Sequence, residues 1–141
     1  MCIRDSLGVS ATGDVFATWM QYDGQRFNVW SNFFDAAKDT WGREEVLEQS
    51  DEGNAWDPQV SVEPGGSSVF VWAQDSDVTR NIWAKRYDAG TMTWSEPTLL
   101  EEENAGDAQN PQVATDATGQ AYVVWTQFDG TRISLYANVF R

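Results

Sequence analysis

The chain has no histidine among its 141 residues. Ser-His-Asp and Cys-His catalysis, His-Glu-x-x-His zinc sites and imidazole proton shuttles are therefore excluded within it. Cysteine is limited to Cys2, which excludes a disulfide scaffold without fixing the compartment. Basic residues are few: nine Lys and Arg stand against 22 Asp and Glu, a formal net charge of −13. Nucleic acid and anionic membrane bind through a cationic face, and the sequence supplies little material for one. No apolar run reaches the roughly 18 residues of a membrane helix. Sustained 3.6-residue periodicity is absent too, and its one candidate, 35–38, is too short for a helix.

Aromatic residues, in contrast, are plentiful: eight Trp, seven Phe and four Tyr. Trp19, Trp72 and Trp125 are spaced 53 residues apart, as are Trp30, Trp83 and Tyr136. The triplets Gln21, Gln74, Gln127 and Gly13, Gly66, Gly119 keep the same interval, and Trp41 matches Trp94. Asp57-Pro58-Gln59-Val60 matches Asn110-Pro111-Gln112-Val113. Residues 13–65 and 66–118 share 16 identities in 53 positions without a gap, so a fixed period organises the chain before any element is assigned.

Each unit reads as four short strands. In the middle unit, Gln59 to Glu63 alternates around Val60 and Val62, and Pro64-Gly65-Gly66 turns. Val69-Phe70-Val71-Trp72 is a continuous apolar run, the pattern of a strand covered on both faces. Asn81 to Tyr87 follows as a third strand, and Trp94 to Leu100 as a fourth. Asp23-Gly24 and Asp129-Gly130 supply tight hairpins, and Gly13 and Gly119 supply the left-handed residue of the first turn. Four antiparallel strands in about 50 residues, repeated in tandem, fit a β-propeller blade. An immunoglobulin-type sandwich needs about 100 residues per unit. The expected fold is therefore all-β: a partial propeller of just under three blades, with the repeating Trp filling the contact between neighbours.

The phase divides the chain into residues 7–53, 54–106 and 107–141, the first unit entering inside a first strand and the last stopping after a third strand. Further blades of the same chain are expected. Met1 to Ser6 resembles the translated end of a sequencing adapter and is set apart from the fold.

The layout resembles the sialidase-type propellers of bacteria, over residues 7–141. Blades of that type carry an Asp box, Ser-x-Asp-x-Gly-x-Thr-Trp, between the third and fourth strands. Here Asp88-Ala89-Gly90-Thr91-Met92-Thr93-Trp94 and Asp35-Ala36-Ala37-Lys38-Asp39-Thr40-Trp41 occupy that turn. They depart from the motif. Arg86 or Phe33 stands where Ser belongs, the Asp-to-Trp spacing is one residue longer, and the first copy lacks the Gly. The resemblance implies a structural turn, with the carboxylate accepting turn amides over a packed Trp, and no catalysis.

In a propeller the loops between second and third strands share a face with the connections between blades. That face would present Asp23 and Arg26, then Asp77 and Arg80, then Asp129 and Arg132. Acids and arginines beside aromatics suit sugar hydroxyls, while plain hairpin chemistry accounts for the same residues. Trp56 interrupts an acidic stretch and has no aromatic counterpart, since Gln109 holds its place. It either stacks on a sugar or covers the blade edge. Asp51, Asp57 and Asp107 belong to loops rich in the oxygen ligands that calcium takes, without the spacing of an EF-hand. Sialidase-like catalysis would need an arginine cluster, but Thr79 breaks the series between Arg26 and Arg132. The expectation is a non-catalytic segment of a secreted or cell-surface bacterial protein, binding a glycan or protein ligand or serving as scaffold, with no cofactor. The alternative is part of a glycosidase ring whose active site draws on other blades.

Overall fold

The structure, a computed structural model, describes residues 4–50, 52–102 and 105–141. Three antiparallel sheets follow one another along the chain. Blade 1 holds β1 (Asp5–Val9), β2 (Val15–Tyr22), β3 (Phe27–Asp35), β4 (Thr40–Trp41) and β5 (Glu45–Val46). Blade 2 holds β6 (Ala55–Val62), β7 (Ser68–Asp75), β8 (Arg80–Asp88), β9 (Thr93–Trp94) and β10 (Thr98–Leu99). Blade 3 holds β11 (Ala108–Thr115), β12 (Ala121–Phe128) and β13 (Ile133–Phe140). No helix occurs among the described residues.

The repeating aromatics occupy equivalent sites. Trp19 lies opposite Trp30, Trp72 opposite Trp83, and Trp125 opposite Tyr136. Gly13, Gly66 and Gly119 turn the first hairpins with φ of 92°, 91° and 83°, a left-handed geometry that penalises a Cβ. The first strands β1, β6 and β11 run side by side along one edge. There the Val60 N–H donates to Ser6 Oγ at 3.3 Å, and the Ser61 and Thr115 hydroxyls meet at 2.8 Å.

The sheets stack face to face through two buried clusters. Phe16, Val29 and Leu47 of blade 1 pack on Ala55, Val60, Phe70 and Trp72 of blade 2. Val69, Val71, Ala73, Ile82, Ala84 and Leu100 of blade 2 pack on Ala108, Ala121, Val123 and Trp125 of blade 3. The run Val69 to Trp72 is buried throughout, as a strand covered on both faces must be.

Three features differ from the sequence reading. The first strand of blade 2 starts at Ala55, inside the stretch read as an acidic loop, so Trp56 is a strand residue paired with Ala73. The register then shifts between Trp56 and Gln59, with Asp57 at φ 52°. Pro58 has no N–H to give the ladder, and a bulge is how a strand accommodates that. Asn110-Pro111 repeats the device at φ 53°. The fourth strand is broken into β9 and β10, as it is into β4 and β5 one unit earlier, where Glu44 stands at the place of Pro97. Finally, Asp5 and Ser6, set apart on sequence grounds, pair with Trp19 and Thr18 in β1. Arg4 before them reaches Asp57 at 2.6 Å and Asn110 at 3.1 Å.

Candidate functional site: the hairpin face at the blade junctions

Two recurring devices build each junction. The first is a clasp: a tryptophan and the glutamine two residues on share one face of a strand. Trp72 Nε1–H donates to Gln74 Oε1 at 3.1 Å, and Gln74 Nε2 donates to the Ser50 carbonyl of the linker between blades at 3.0 Å. In blade 3, Trp125 donates to Gln127 and Gln127 to the Gly106 carbonyl, at 3.0 and 3.3 Å. The Trp19–Gln21 pair repeats the first half of this at 3.1 Å.

The second device is a staple across the junction. Asn54 Oδ1 accepts the Phe27 N–H of blade 1 at 2.9 Å, while its backbone carbonyl accepts the Asp75 N–H of blade 2 at 2.8 Å. Asp107 does the same one unit later, taking the Arg80 N–H at 2.9 Å and the Phe128 N–H at 3.4 Å. The linker runs so close that a Cβ on Gly53, at φ 131°, would lie 2.7 Å from the Asp75 carbonyl. These bonds fix each hairpin of the face against its neighbouring linker.

On this frame the junction of blades 1 and 2 carries a continuous stack. Tyr22 and Phe27 rings are 5.2 Å apart, and Phe27 and Trp56 rings are 5.2 Å apart. The Arg80 guanidinium lies 5.2 Å from the Trp56 ring centroid. Asp75 organises the end of the stack, accepting from Trp56 Nε1 at 2.9 Å and from Arg80 Nε at 2.7 Å. A planar cation over an indole face is attracted by its quadrupole. Tyr22, 54% exposed, opens the stack to solvent. At the next junction the equivalent positions are Gln109, Phe128 and Ile133, and they border a shallow depression of about 510 Å³ with Val78 and Thr79.

The sequence candidates separate accordingly. Arg80 and Trp56 meet. Asp77 lies exposed at the tip of its hairpin. Asp23 Oδ1 accepts the amides of Gln25 and Arg26, and Asp129 Oδ1 those of Thr131 and Arg132. Backbone hydrogen bonds, from Arg26 and Arg132 first, hold both carboxyls below the usual carboxylate range. Arg26 bonds Asn28 at 3.0 Å, and Arg132 stays largely exposed 3.7 Å from Asp129. Hairpin chemistry thus engages both acids. Of the metal candidates, Asp51 lies outside the described residues, Asp57 is ion-paired with Arg4, and Asp107 serves the staple. Among the described residues, no group of three or more Asp, Glu, Cys or His is placed to hold a metal. In the two turns likened to Asp boxes, Asp88 Oδ1 accepts the Gly90 and Thr91 amides, and Asp35 Oδ1 accepts that of Lys38.

Sequence reasoning missed Phe27 and the double role of Asp75. A signal existed: Phe27 falls in phase with Arg80 and Ile133, so this position changes character from blade to blade. It also missed Glu48 and Glu101, which do recur at 53. Burial pushes both carboxyls up to about 7. Glu48 accepts the Val29 N–H with both oxygens at 3.0 Å. Glu101 lies toward the Ile82 amide, but neither oxygen finds a hydrogen-bond partner among the described residues.

No family model and no curated protein matches the chain. Solved structures do. It is similar to a Hadza microbial sialidase, with TM-score 0.66 and 14% identity over 96% of this chain and 34% of the other. It is similar to a protein of unknown function from Dyadobacter fermentans, with TM-score 0.70 and 11% identity over 98% and 50% of the two chains. The endo-arabinase of Bacteroides thetaiotaomicron matches with TM-score 0.57 and 14% identity over 99% and 55%. The chain therefore spans between 34% and 55% of these proteins' lengths. Identities this low bear on the fold alone, and the fold is that of successive β-propeller blades. No described helix is long and apolar enough to cross a membrane.

Proposed function

We propose that the hairpin face at the junction of blades 1 and 2 is a carbohydrate-binding platform of a secreted or cell-surface protein, and that this segment performs no catalysis. The observation that carries this reading is the stack Tyr22–Phe27–Trp56–Arg80 with Asp75 at its end. A sugar ring offers C–H groups on one face and hydroxyls around its rim. The first group packs on an aromatic face, and the second bonds planar donors and acceptors. Tyr22 supplies an exposed ring beside a hydroxyl. Arg80 and Asp75 supply charged groups already oriented by each other, so little side-chain entropy is lost on binding. Asp23, Arg26 and Asp77, on the same two hairpins, and Asp129 and Arg132, on the hairpin of blade 3, are assigned as secondary contacts. Calcium, if it takes part, would be drawn to the acidic linkers between blades, with Asp51, Asp57 and Asp107 as ligands.

A second reading is a glycosidase ring whose catalytic groups come from other blades. What favours it is that two structural neighbours are a sialidase and an endo-arabinase. A glycan array, read with and without calcium, separates these readings from a pure scaffold. Binding that falls at least about tenfold in Trp56→Ala and Tyr22→Ala supports the platform, since stacked aromatics dominate such contacts. Binding unaffected by both variants, or no binding to any glycan, would overturn it. Hydrolysis of a glycoside substrate by this chain would overturn the non-catalytic reading.

A further inference from the structure

A separate cavity lies between blades 1 and 2, at the end of the strands away from the hairpin face. It holds about 270 Å³ and is walled by Phe16, Phe33, Tyr87 and Trp94. Phe16 is at its centre, with the Phe33, Tyr87 and Trp94 ring centroids 4.9, 5.0 and 6.0 Å away. The walls come from β2 to β5 on one side and from β8 to β9 on the other, so the cavity is internal to one junction of this chain. Ser31 lines it too. That residue is 2% exposed, and its hydroxyl finds no hydrogen-bond partner among the described residues. A buried hydroxyl without a partner costs stability, and the blade does not need one there, since Ala84 holds the place one unit later. At the mouth Arg43 and Glu45 are exposed, and neither side chain makes an ion pair or hydrogen bond with a described residue. Met92, 76% exposed, stands beside them.

We propose that this cavity binds a free α-amino acid with an aromatic side chain. The ring enters the well, the carboxylate meets the Arg43 guanidinium, and the ammonium group meets the Glu45 carboxylate. Size limits the ligand: sites for drug-sized molecules begin near roughly 300 Å³, so about 270 Å³ takes one ring and its head group. Four aromatic rings and one hydroxyl would leave most hydroxyls of a buried sugar without partners, which is costly. A bare organic cation is disfavoured in the well, because Lys85 Nζ already lies 5.3 Å from the Trp94 centroid and donates to the Leu47 carbonyl at 3.2 Å. An apolar ring meets no such opposition. Unpaired charges of both signs at the mouth favour a head group that carries one of each. The Ser31 hydroxyl gives the phenol oxygen of tyrosine a partner in the well. At the next junction Val69, Ala84 and Arg86 stand in the places of Phe16, Ser31 and Phe33. There the Arg86 guanidinium lies 5.5 Å from the ring of Phe140, the equivalent of Tyr87, and bonds Glu63 at 3.0 Å. The chain thus lays its own planar group on that ring, and joining two blades does not require the aromatic well. The proposal does not rest on the carbohydrate reading, because the platform lies at the other end of β3 and β8.

The test is a ligand-detected NMR titration of the 141-residue chain with tyrosine, phenylalanine, phenethylamine and phenylpropionate. The last two are phenylalanine without its carboxylate and without its ammonium group. Both amino acids should bind with a Kd below about 1 mM. Each fragment should bind at least about tenfold more weakly, the loss expected for a hydrogen bond to a charged group. Tyrosine should bind about two- to tenfold more tightly than phenylalanine, the range of one neutral hydrogen bond. Arg43→Gln should erase the preference for phenylalanine over phenethylamine, and Glu45→Gln the preference over phenylpropionate. Ser31→Ala should erase the preference for tyrosine and leave phenylalanine binding unchanged. Arg43 and Glu45 are exposed and Ala84 stands at the place of Ser31, so folding does not rest on these side chains, and circular dichroism confirms the β-sheet of each variant. No binding of phenylalanine at concentrations on the order of 10 mM would overturn the proposal. So would fragments that bind as well as the amino acid, or charge preferences that survive their variants. Binding lost in Trp56→Ala would place the ligand on the hairpin face instead and equally overturn it. Tyrosine bound no more tightly than phenylalanine would overturn the role given to Ser31.

Discussion

At the junction of blades 1 and 2 the packing is aromatic. Phe16 meets Phe70 edge to face at 5.2 Å, with Tyr87 and Trp94 at 5.0 and 6.0 Å from it, and Trp72 closes the cluster. At the junction of blades 2 and 3 Trp125 lies against Val69, Val71, Ala73, Ile82 and Ala84, with Tyr136 stacked 6.2 Å away and Trp56 packed at the margin of the cluster. The clasp and the staple nevertheless recur in both, the clasp glutamine reaching the Ser50 carbonyl at one linker and the Gly106 carbonyl at the other. The difference teaches which parts of the repeat are constrained. Polar groups that must be satisfied at a close approach of two backbones recur at both junctions: Gln74 and Gln127, Asn54 and Asp107, Gly53 and Gly106. Apolar filling varies, because cores accept many combinations of similar volume. The hairpin face varies most: Trp56 and Phe27 are answered by Gln109 and Arg80.

The largest effect expected from this comparison is at the clasp tryptophans. Trp72→Ala removes a fully buried side chain from an aromatic cluster, at a cost of about 3–5 kcal/mol. Trp125→Ala removes the equivalent from small aliphatic neighbours, which collapse more readily, and should cost about 1 kcal/mol less. Urea midpoints of the two variants check this. If Trp125→Ala is the more damaging, the filling does not distinguish the junctions.

Gln74→Leu and Gln127→Leu probe the shared frame. Each keeps bulk but strands a buried indole N–H and a linker carbonyl. An unsatisfied buried group costs about 1–3 kcal/mol, and the loss should be equal at both junctions. Unequal losses would break the claim that the frame is common. A double variant of Trp72 and Gln74 sharpens it: the two substitutions should be far from additive, because they remove one interaction.

Much of the fold was legible because period and turn chemistry are local. Trp19, Trp72 and Trp125 at one interval, and Asp23-Gly24 beside an apolar run, each fix a strand and its hairpin without knowledge of the rest. What was not legible depends on partners far apart in sequence. Trp56 reads as a loop residue because Asp57-Pro58 follows it, yet pairing with β7 carries the strand across the bulge. Phe27 follows its hairpin with no local signal of a role, and only the packing of two blades brings it to Trp56. Asp23 and Arg26 were legible as a charged pair, but sequence cannot tell a turn acceptor from a ligand contact. Glu48 and Glu101 carry no local signal beyond their recurrence at 53 residues. Only the neighbouring blade buries them.

Those two glutamates give the smallest expected effect and a pH signature for each junction. In the folded chain both carboxyls titrate near 7, against an ordinary value of 4.5, because burial disfavours the charged form. Between pH 4.5 and 7 the folded chain therefore holds protons that the unfolded chain has released, and stability falls as pH rises through that window. Above about 7 the penalty is complete. Gln is a neutral mimic without that titration. Glu101→Gln should leave stability at pH 4 nearly unchanged and raise it at pH 8 by about 1–2 kcal/mol, a shift of a few degrees in Tm. Glu48→Gln should gain less at pH 8, since the Val29 amide now binds both carboxylate oxygens and Gln offers only one acceptor. Thermal melts of both variants at the two pH values measure the difference. Equal gains would mean that the Val29 bond contributes nothing and that the junctions differ only in their apolar filling.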